Sequence, residues 1–221
     1  MNIFNQSKFS TKLLAAFVIC ALITLAVGTL GMVGVSRLAT ALSLTFSNNL
    51  VSAANTNETM ASLIAHNRGL FRLLDAQVGD VAEADKMRVR QALATDLARA
   101  EKAFAAYRTT PMEEDEQEAG EKYEELWSAY VTGSQKILEL IDAGDYVQAR
   151  ARLHTLSLDV FSKARECLRV MIDSTNRQIK EAADAAQELK ASSTRLLLIG
   201  IAVAFLVAIT LGVLITRMIT R

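Results

Sequence analysis

Proline occurs once in the 221 residues, at Pro111, so almost nothing in the chain interrupts a helix before or after that point. Aromatic residues make up 6% and the ten glycines are scattered, a profile that argues against a strand-rich fold. Cysteine is nearly as scarce. Cys20 and Cys167 lie far apart, which argues against both a disulfide framework and a cysteine metal cluster. His66 and His154 lack a third ligand at sensible spacing, so no metal is expected. No nucleophile–base arrangement and no phosphate-binding glycine loop occurs either; the expectation is a chain without enzyme activity and without cofactors. The formal net charge is zero, and no region is basic enough to suggest nucleic acid as a partner.

What the chain has in quantity is apolar residues, 51% of the total, and two long runs of them. Leu196–Thr216 carries no charge over a length that at about 1.5 Å per residue matches one hydrocarbon thickness of about 30 Å. Leu13–Val35 is the second such run, with Lys8 and Lys12 before it; it is long for a signal peptide and lacks a convincing cleavage site before Arg37. All 24 acids fall between Glu58 and Glu188, whereas Lys8, Lys12, Arg217 and Arg221 lie beyond the apolar ends. The positive-inside rule then puts both termini in the cytoplasm. The expected organisation is a cytoplasmic start (1–12), a membrane helix (13–35), an outer region (36–195), a second membrane helix (196–216) and the start of a cytoplasmic linker (217–221). The location is an inner membrane, with membrane lipid around both apolar runs.

The outer region reads as four helices. From Phe46 a seam steps by four and three through Leu50, Ala53, Asn57, Met60, Ile64, Asn67, Phe71, Leu74 and Val78, probing a helix continuous with the first membrane span. Gly79-Asp80 ends it, and Asp80 with Glu83 forms a capping box for the next helix. The second helix carries Leu93, Leu97, Ala100, Phe104 and Tyr107 on one face and stops at Thr109–Pro111. Thr110 as N-cap, Pro111 as first residue and Glu113 two positions on open the third, whose seam is Tyr123, Leu126, Tyr130, Gly133, Ile137 and Leu140. It ends at Ala143-Gly144. Asp145 caps the fourth helix, with a seam at Phe161, Ala164, Leu168, Met171, Thr175, Ile179, Ala182, Ala186 and Leu189, and neither proline nor glycine up to Ser193. Short connections make neighbours antiparallel, so the fold class is all-α, an antiparallel up-down four-helix bundle outside the membrane with two transmembrane helices. Helices one and four are longer than two and three, which leaves a two-helix stalk per chain. A second copy would complete that stalk, and a homodimer is expected.

The layout resembles the sensor region of methyl-accepting chemotaxis receptors with a four-helix-bundle ligand domain. The resemblance rests on the basic start into a membrane helix, Gly34-Val-Ser-Arg-Leu38, Asn48-Asn49-Leu50, Leu126-Trp127-Ser-Ala-Tyr130, Ala143-Gly144-Asp145 with Ala149-Arg150-Ala151, and the closing Ile215-Thr-Arg-Met-Ile-Thr-Arg221. It implies a receptor that binds a small ligand in the periplasm and passes a conformational signal through the second membrane helix to a cytoplasmic chemotaxis kinase complex. The HAMP, methylation and kinase-control regions of such receptors do not occur in these residues, so a fragment or a shortened relative is expected. Sensor histidine kinases and cyclases use similar input domains, and a membrane-anchored periplasmic protein-interaction module is a further alternative.

Arg68 and Arg72 lie on a second stripe of the first helix with Ala54, Glu58, Ala61 and Ala65. A guanidinium holds a carboxylate by two parallel hydrogen bonds, and the resemblance implies arginines on this helix as binders of a ligand's carboxylates. The bland alternative is a solvated basic edge paired with Asp75. Asn67 either fixes helix register or contacts ligand, and Asn57 is placed more firmly with the first role. Tyr130, Arg152 and Thr155, with His154 and Gln91, come to the same height in an antiparallel bundle; Tyr130 and Trp127 offer a ring face or hydroxyl to an organic acid, with core positions as their alternative. The candidate ligand residues are therefore Arg68, Arg72, Asn67, Tyr130, Arg152 and Thr155, for a small organic acid or amino acid. The acidic run Glu113–Glu125 fits no calcium loop; it reads as a salt-bridge face opposite Lys163, Arg165, Arg169 and Arg177.

Overall fold

The computed structural model describes residues 9–79 and 81–219, and every long element in it is a helix. Helix α1 (Phe9–Leu44) is followed by a π-helical segment (Thr45–Asn49), α2 (Leu50–Val78), α3 (Glu83–Tyr107) and α4 (Glu114–Asp142). Then come α5 (Tyr146–Thr155), a second π-helical segment (Leu156–Phe161) and α6 (Ser162–Ile219). Among the described residues there is no strand. The chain divides into two compact units. One pairs the N-terminal stretch up to Ser43 with the C-terminal stretch from Ala182, and the other is Leu44–Glu181.

In the first unit both helices contain a stretch long and apolar enough to cross a membrane. Its large side chains point outward: Phe17, Leu22, Leu25, Leu198, Phe205 and Leu206 are all exposed. Small residues make the helix contact, since a Cβ on Gly34 would stand 3.0 Å from Ser193 Oγ and one on Gly200 would stand 3.2 Å from Val27. The threonines of the two apolar runs return their hydroxyls to their own helix. Thr24 donates to the Cys20 carbonyl at 2.9 Å, Thr29 to Ala26 at 2.8 Å, Thr210 to Leu206 at 2.8 Å and Thr216 to Gly212 at 2.9 Å. Such pairing removes the cost of a bare hydroxyl in hydrocarbon.

The second unit is the four-helix bundle, formed by α2, α3, α4 and a fourth helix made of α5, the π segment and the start of α6. The seams expected on the second, third and fourth helices are where the core lies: Leu93, Ala100, Phe104 and Tyr107, then Tyr123, Tyr130 and Ile137, then Phe161, Ala164, Leu168 and Met171. On α2 the core face differs from the expected one. Ser52, Thr56, Thr59, Leu63, His66, Leu70 and Leu73 form the buried heptad stripe, and only Asn67 and Leu74 of the expected seam are buried. Thr56 donates to the Ser52 carbonyl at 2.7 Å and Thr59 to Asn55 at 2.8 Å. Satisfied in this way, a hydroxyl packs as a small apolar group. Asn57, expected to set register inside a seam, is exposed and donates to the Ala53 carbonyl. The side chain of Phe46 lies outside the described residues.

Two helix starts also differ. Asp80 is outside the described residues, and α3 opens at Glu83 behind Ala82, which supplies no side-chain cap. Helix α4 opens three residues later than Pro111, with Glu113 as N-cap; its N–H donates to the Glu116 carboxylate at 2.9 Å. Thr110 instead donates to the Tyr107 carbonyl at 2.6 Å and accepts from Ser52 at 2.8 Å, closing the preceding turn. Asp145 caps α5 as expected, its side chain accepting from the Gln148 N–H at 3.1 Å, and Gly144 before it takes the left-handed backbone (φ 77°). The fourth helix steps by three and four through Ala149, Leu153 and Leu156 and then by five to Phe161. The π segment absorbs that five-residue step, restoring the core face.

Charged groups tie α4 to α6. Arg177 reaches Glu113 at 2.7 Å and Asp115 at 3.0 Å, and its hydrogen bond holds the Asp115 carboxyl below its usual pKa. Buried Glu116 accepts from Thr175 at 2.7 Å and from Gln178 at 2.9 Å. Of the acids' expected partners, Arg177 spans the two helices, Arg169 pairs within its own helix with Glu166, and Arg165 lies over the Phe161 ring.

Close helix approach has a testable consequence at Gly133, where a Cβ would stand 2.6 Å from Cδ1 of buried Leu156. Gly133→Val should lower unfolding stability by about 2 kcal/mol through overpacking. Gly120→Ala meets only the end of the Arg108 side chain and should cost little or stabilise by up to ~1 kcal/mol. Chemical denaturation of the two variants checks the difference.

Candidate functional site

A polar layer crosses the middle of the bundle where the second π segment begins. Tyr130 from α4 reaches His66 Nδ1 at 2.8 Å, and Ser157 from the π segment donates to Asn67 Oδ1 at 3.0 Å. His66 and Tyr130 are fully enclosed, and His66 Nε2 has no partner among the described residues. Burial lowers the His66 pKa to about 4, so the ring is neutral near pH 7. Below this layer Tyr130, Trp127, Tyr123 and Phe104 form a continuous run of ring contacts, with centroid separations of 6.1, 6.0 and 4.5 Å. Tyr130 is thus a core residue, the alternative weighed for it, and Asn67 is committed to Ser157.

The expected ligand residues do not converge on one enclosed pocket in the protomer. Arg68 and Arg72 are exposed on α2, along with Ala54, Ala61 and Ala65. Asp75, the bland partner for them, instead pairs with Arg150 at 2.9 Å. Arg152 and Thr155 are exposed and share a shallow groove of about 480 Å³ with Gly133, Leu156 and Asp159, on the α4 side of the fourth helix. The Thr155 hydroxyl donates to the Ala151 carbonyl at 3.2 Å.

What unites the three arginines is the lack of an acid. In the bundle Arg88, Arg90, Arg99, Arg108, Arg150, Arg169 and Arg177 each have a carboxylate partner. Among the described residues Arg68, Arg72 and Arg152 have none. Surface cations without partners retain their full charge for an incoming anion.

Two grooves near the end of the bundle where α2 closes and α5 opens were not legible beforehand. The larger, about 830 Å³, is mostly apolar, with exposed Val78 and Val147 beside Tyr146 and Arg150. The other lies between α2 and α3 and includes Arg72 and Arg88. Neither has a sequence signature, because each depends on which residues of two helices face each other.

The buried histidine makes the bundle acid-sensitive. The unfolded chain takes up a proton as pH falls through about 6.5, whereas folded His66 takes one only near 4. Stability contributed by the neutral ring is present above 6.5 and is lost as pH falls toward 4, by about 3 kcal/mol in all. Denaturation curves between pH 7 and 4 should show that loss, and His66→Gln should flatten it.

Over residues 6–192 the chain matches the family described as the four helix bundle sensory module for signal transduction, a module of chemotaxis receptors. It is also similar to a protein of Acetivibrio thermocellus named "Putative sensory transducer protein", with 26% identity over 121 residues. That match covers 55% of this chain and 22% of the relative, so the chain spans about a fifth of the relative's length. No solved structure matches. With the match covering most of its residues, the chain belongs to the four-helix-bundle sensory modules of chemotaxis receptors.

Proposed function

We propose that the Leu44–Glu181 bundle senses a small organic anion on the periplasmic side of an inner membrane. In this reading residues 13–35 and 196–216 span the bilayer, both termini are cytoplasmic, and the chain has no catalytic role. The observation that carries the proposal is the set of uncommitted guanidinium groups at Arg68, Arg72 and Arg152, in a bundle whose other arginines are mostly paired. Thr155 adds a hydroxyl beside Arg152. A ligand transmits a signal only by binding one helix arrangement better than another. The shift would leave through α6, which contains the second apolar run, toward a cytoplasmic chemotaxis kinase complex or, alternatively, a histidine kinase or cyclase. Leu50 is exposed and Met60, Ile64 and Phe71 are half-buried along one stripe of α2, a surface suited to a second copy in a homodimer.

The apolar groove at Val78 and Val147 supports a second reading, in which a periplasmic protein docks on the bundle end. A thermal-shift screen of the full chain in lipid nanodiscs against organic acids and amino acids separates the two. The proposal expects at least one acid to raise the melting temperature, with the shift reduced or lost in Arg68→Ala or Arg72→Ala. No shift with any compound in a folded sample would favour protein-mediated sensing.

A further inference from the structure

Helix α3 packs along α2, and the two touch closely at Gly69, where a Cβ would stand 2.7 Å from Leu93 Cδ2. Beyond that contact, over the last turns of α2 and the first turns of α3, lies an open groove of about 680 Å³. Its charges can be counted. Asp75 is held by Arg150 at 2.9 Å, and Asp85 is held by Arg88 at 2.9 Å. Arg72 alone faces the groove without an acid among the described residues, which leaves it with one uncompensated positive charge. The remaining lining is aliphatic, chiefly Val81 and Val89.

Resting on the reading that this bundle senses an organic anion, we infer that the α2–α3 groove is a ligand site contained in one protomer, and that it takes a monocarboxylate with an apolar body. The carboxylate sits on the Arg72 guanidinium, and the apolar body covers Val81 and Val89. A second carboxylate gains nothing, because Arg88, which also lines the groove, already has Asp85 as its partner. Arg68 is on the exposed face of the same helix but does not line the groove.

Titration calorimetry of the full chain in nanodiscs, with benzoate, neutral benzamide and succinate as probes, tests this. Benzoate should bind, benzamide should not, and succinate should bind no tighter than benzoate. Arg72→Ala should weaken benzoate roughly tenfold or more. Ala92 lines the groove from α3 and is exposed, so Ala92→Glu keeps the fold and should repel the anion to a similar degree. Ala65→Glu, on the exposed outer stripe of α2, should leave the affinity within about twofold, since the site is not on that face. Loss of binding in Ala65→Glu and Arg68→Ala with none in Ala92→Glu would overturn the groove and leave small-anion sensing in place. Succinate binding more tightly than benzoate would overturn the ligand class. Failure of benzoate to bind would overturn the groove, whereas the reading it rests on falls only if the screen of organic acids and amino acids also gives no shift.

Discussion

The bundle depends on hydrogen-bond satisfaction along the buried face of α2. Ser52, Thr56, Thr59, Ser62, His66 and Asn67 all lie inside, where a bare polar group would cost more than most packing contacts return. Each side chain makes a hydrogen bond, with a carbonyl or carboxylate of the same helix for Thr56, Thr59 and Ser62 and with another element for Ser52, His66 (through Nδ1, its Nε2 having no partner among the described residues) and Asn67. The cross-helix bonds reach the turn after α3, the α4 helix and the π segment. One polar face thereby fixes the register of three other elements.

The same constraint shapes the surface. With hydroxyls and leucines sharing the inward face of α2, Met60, Ile64 and Phe71 fall on an adjacent stripe, and Arg68 and Arg72 fall further round still. A helix with two such faces suits a sensor: one face holds the bundle, and the others remain available to ligand or to a second copy. At the opposite end of the bundle, Arg177 and Glu116 bind α6 to the start of α4. A displacement of α6 there would have to carry the first turn of α4 with it or break those bonds.

Much of this was legible in the sequence. Pro111, Gly144 with Asp145, and the seams of α3 and α4 fixed the number, order and approximate ends of the helices, because punctuation and periodicity are local signals. The face of α2 was not legible, since hydropathy ranks Met60 and Ile64 above Ser52 and Thr56 and does not count a hydroxyl's bond to its own helix. The π segment left a trace, the five-residue step from Leu156 to Phe161, but a step of that kind is recognisable only once both flanking seams are in register. Of the candidate site, the sequence singled out Arg68, Arg72 and Arg152, which have no acidic partner among the described residues, together with Tyr130 and Asn67, whose hydrogen bonds depend on His66 and Ser157 opposite them. The α2–α3 groove was beyond reach, as it is a property of a helix pair.

Hydrogen–deuterium exchange on the full chain in nanodiscs, with and without benzoate, addresses the central claim that ligand occupancy at the uncommitted arginines is felt in α6. The account predicts slower exchange over residues 70–76 and 85–92, together with altered exchange in α6 near Ser174–Gln178. Protection confined to the groove with α6 unchanged would contradict a sensory role for that site, even if the ligand binds.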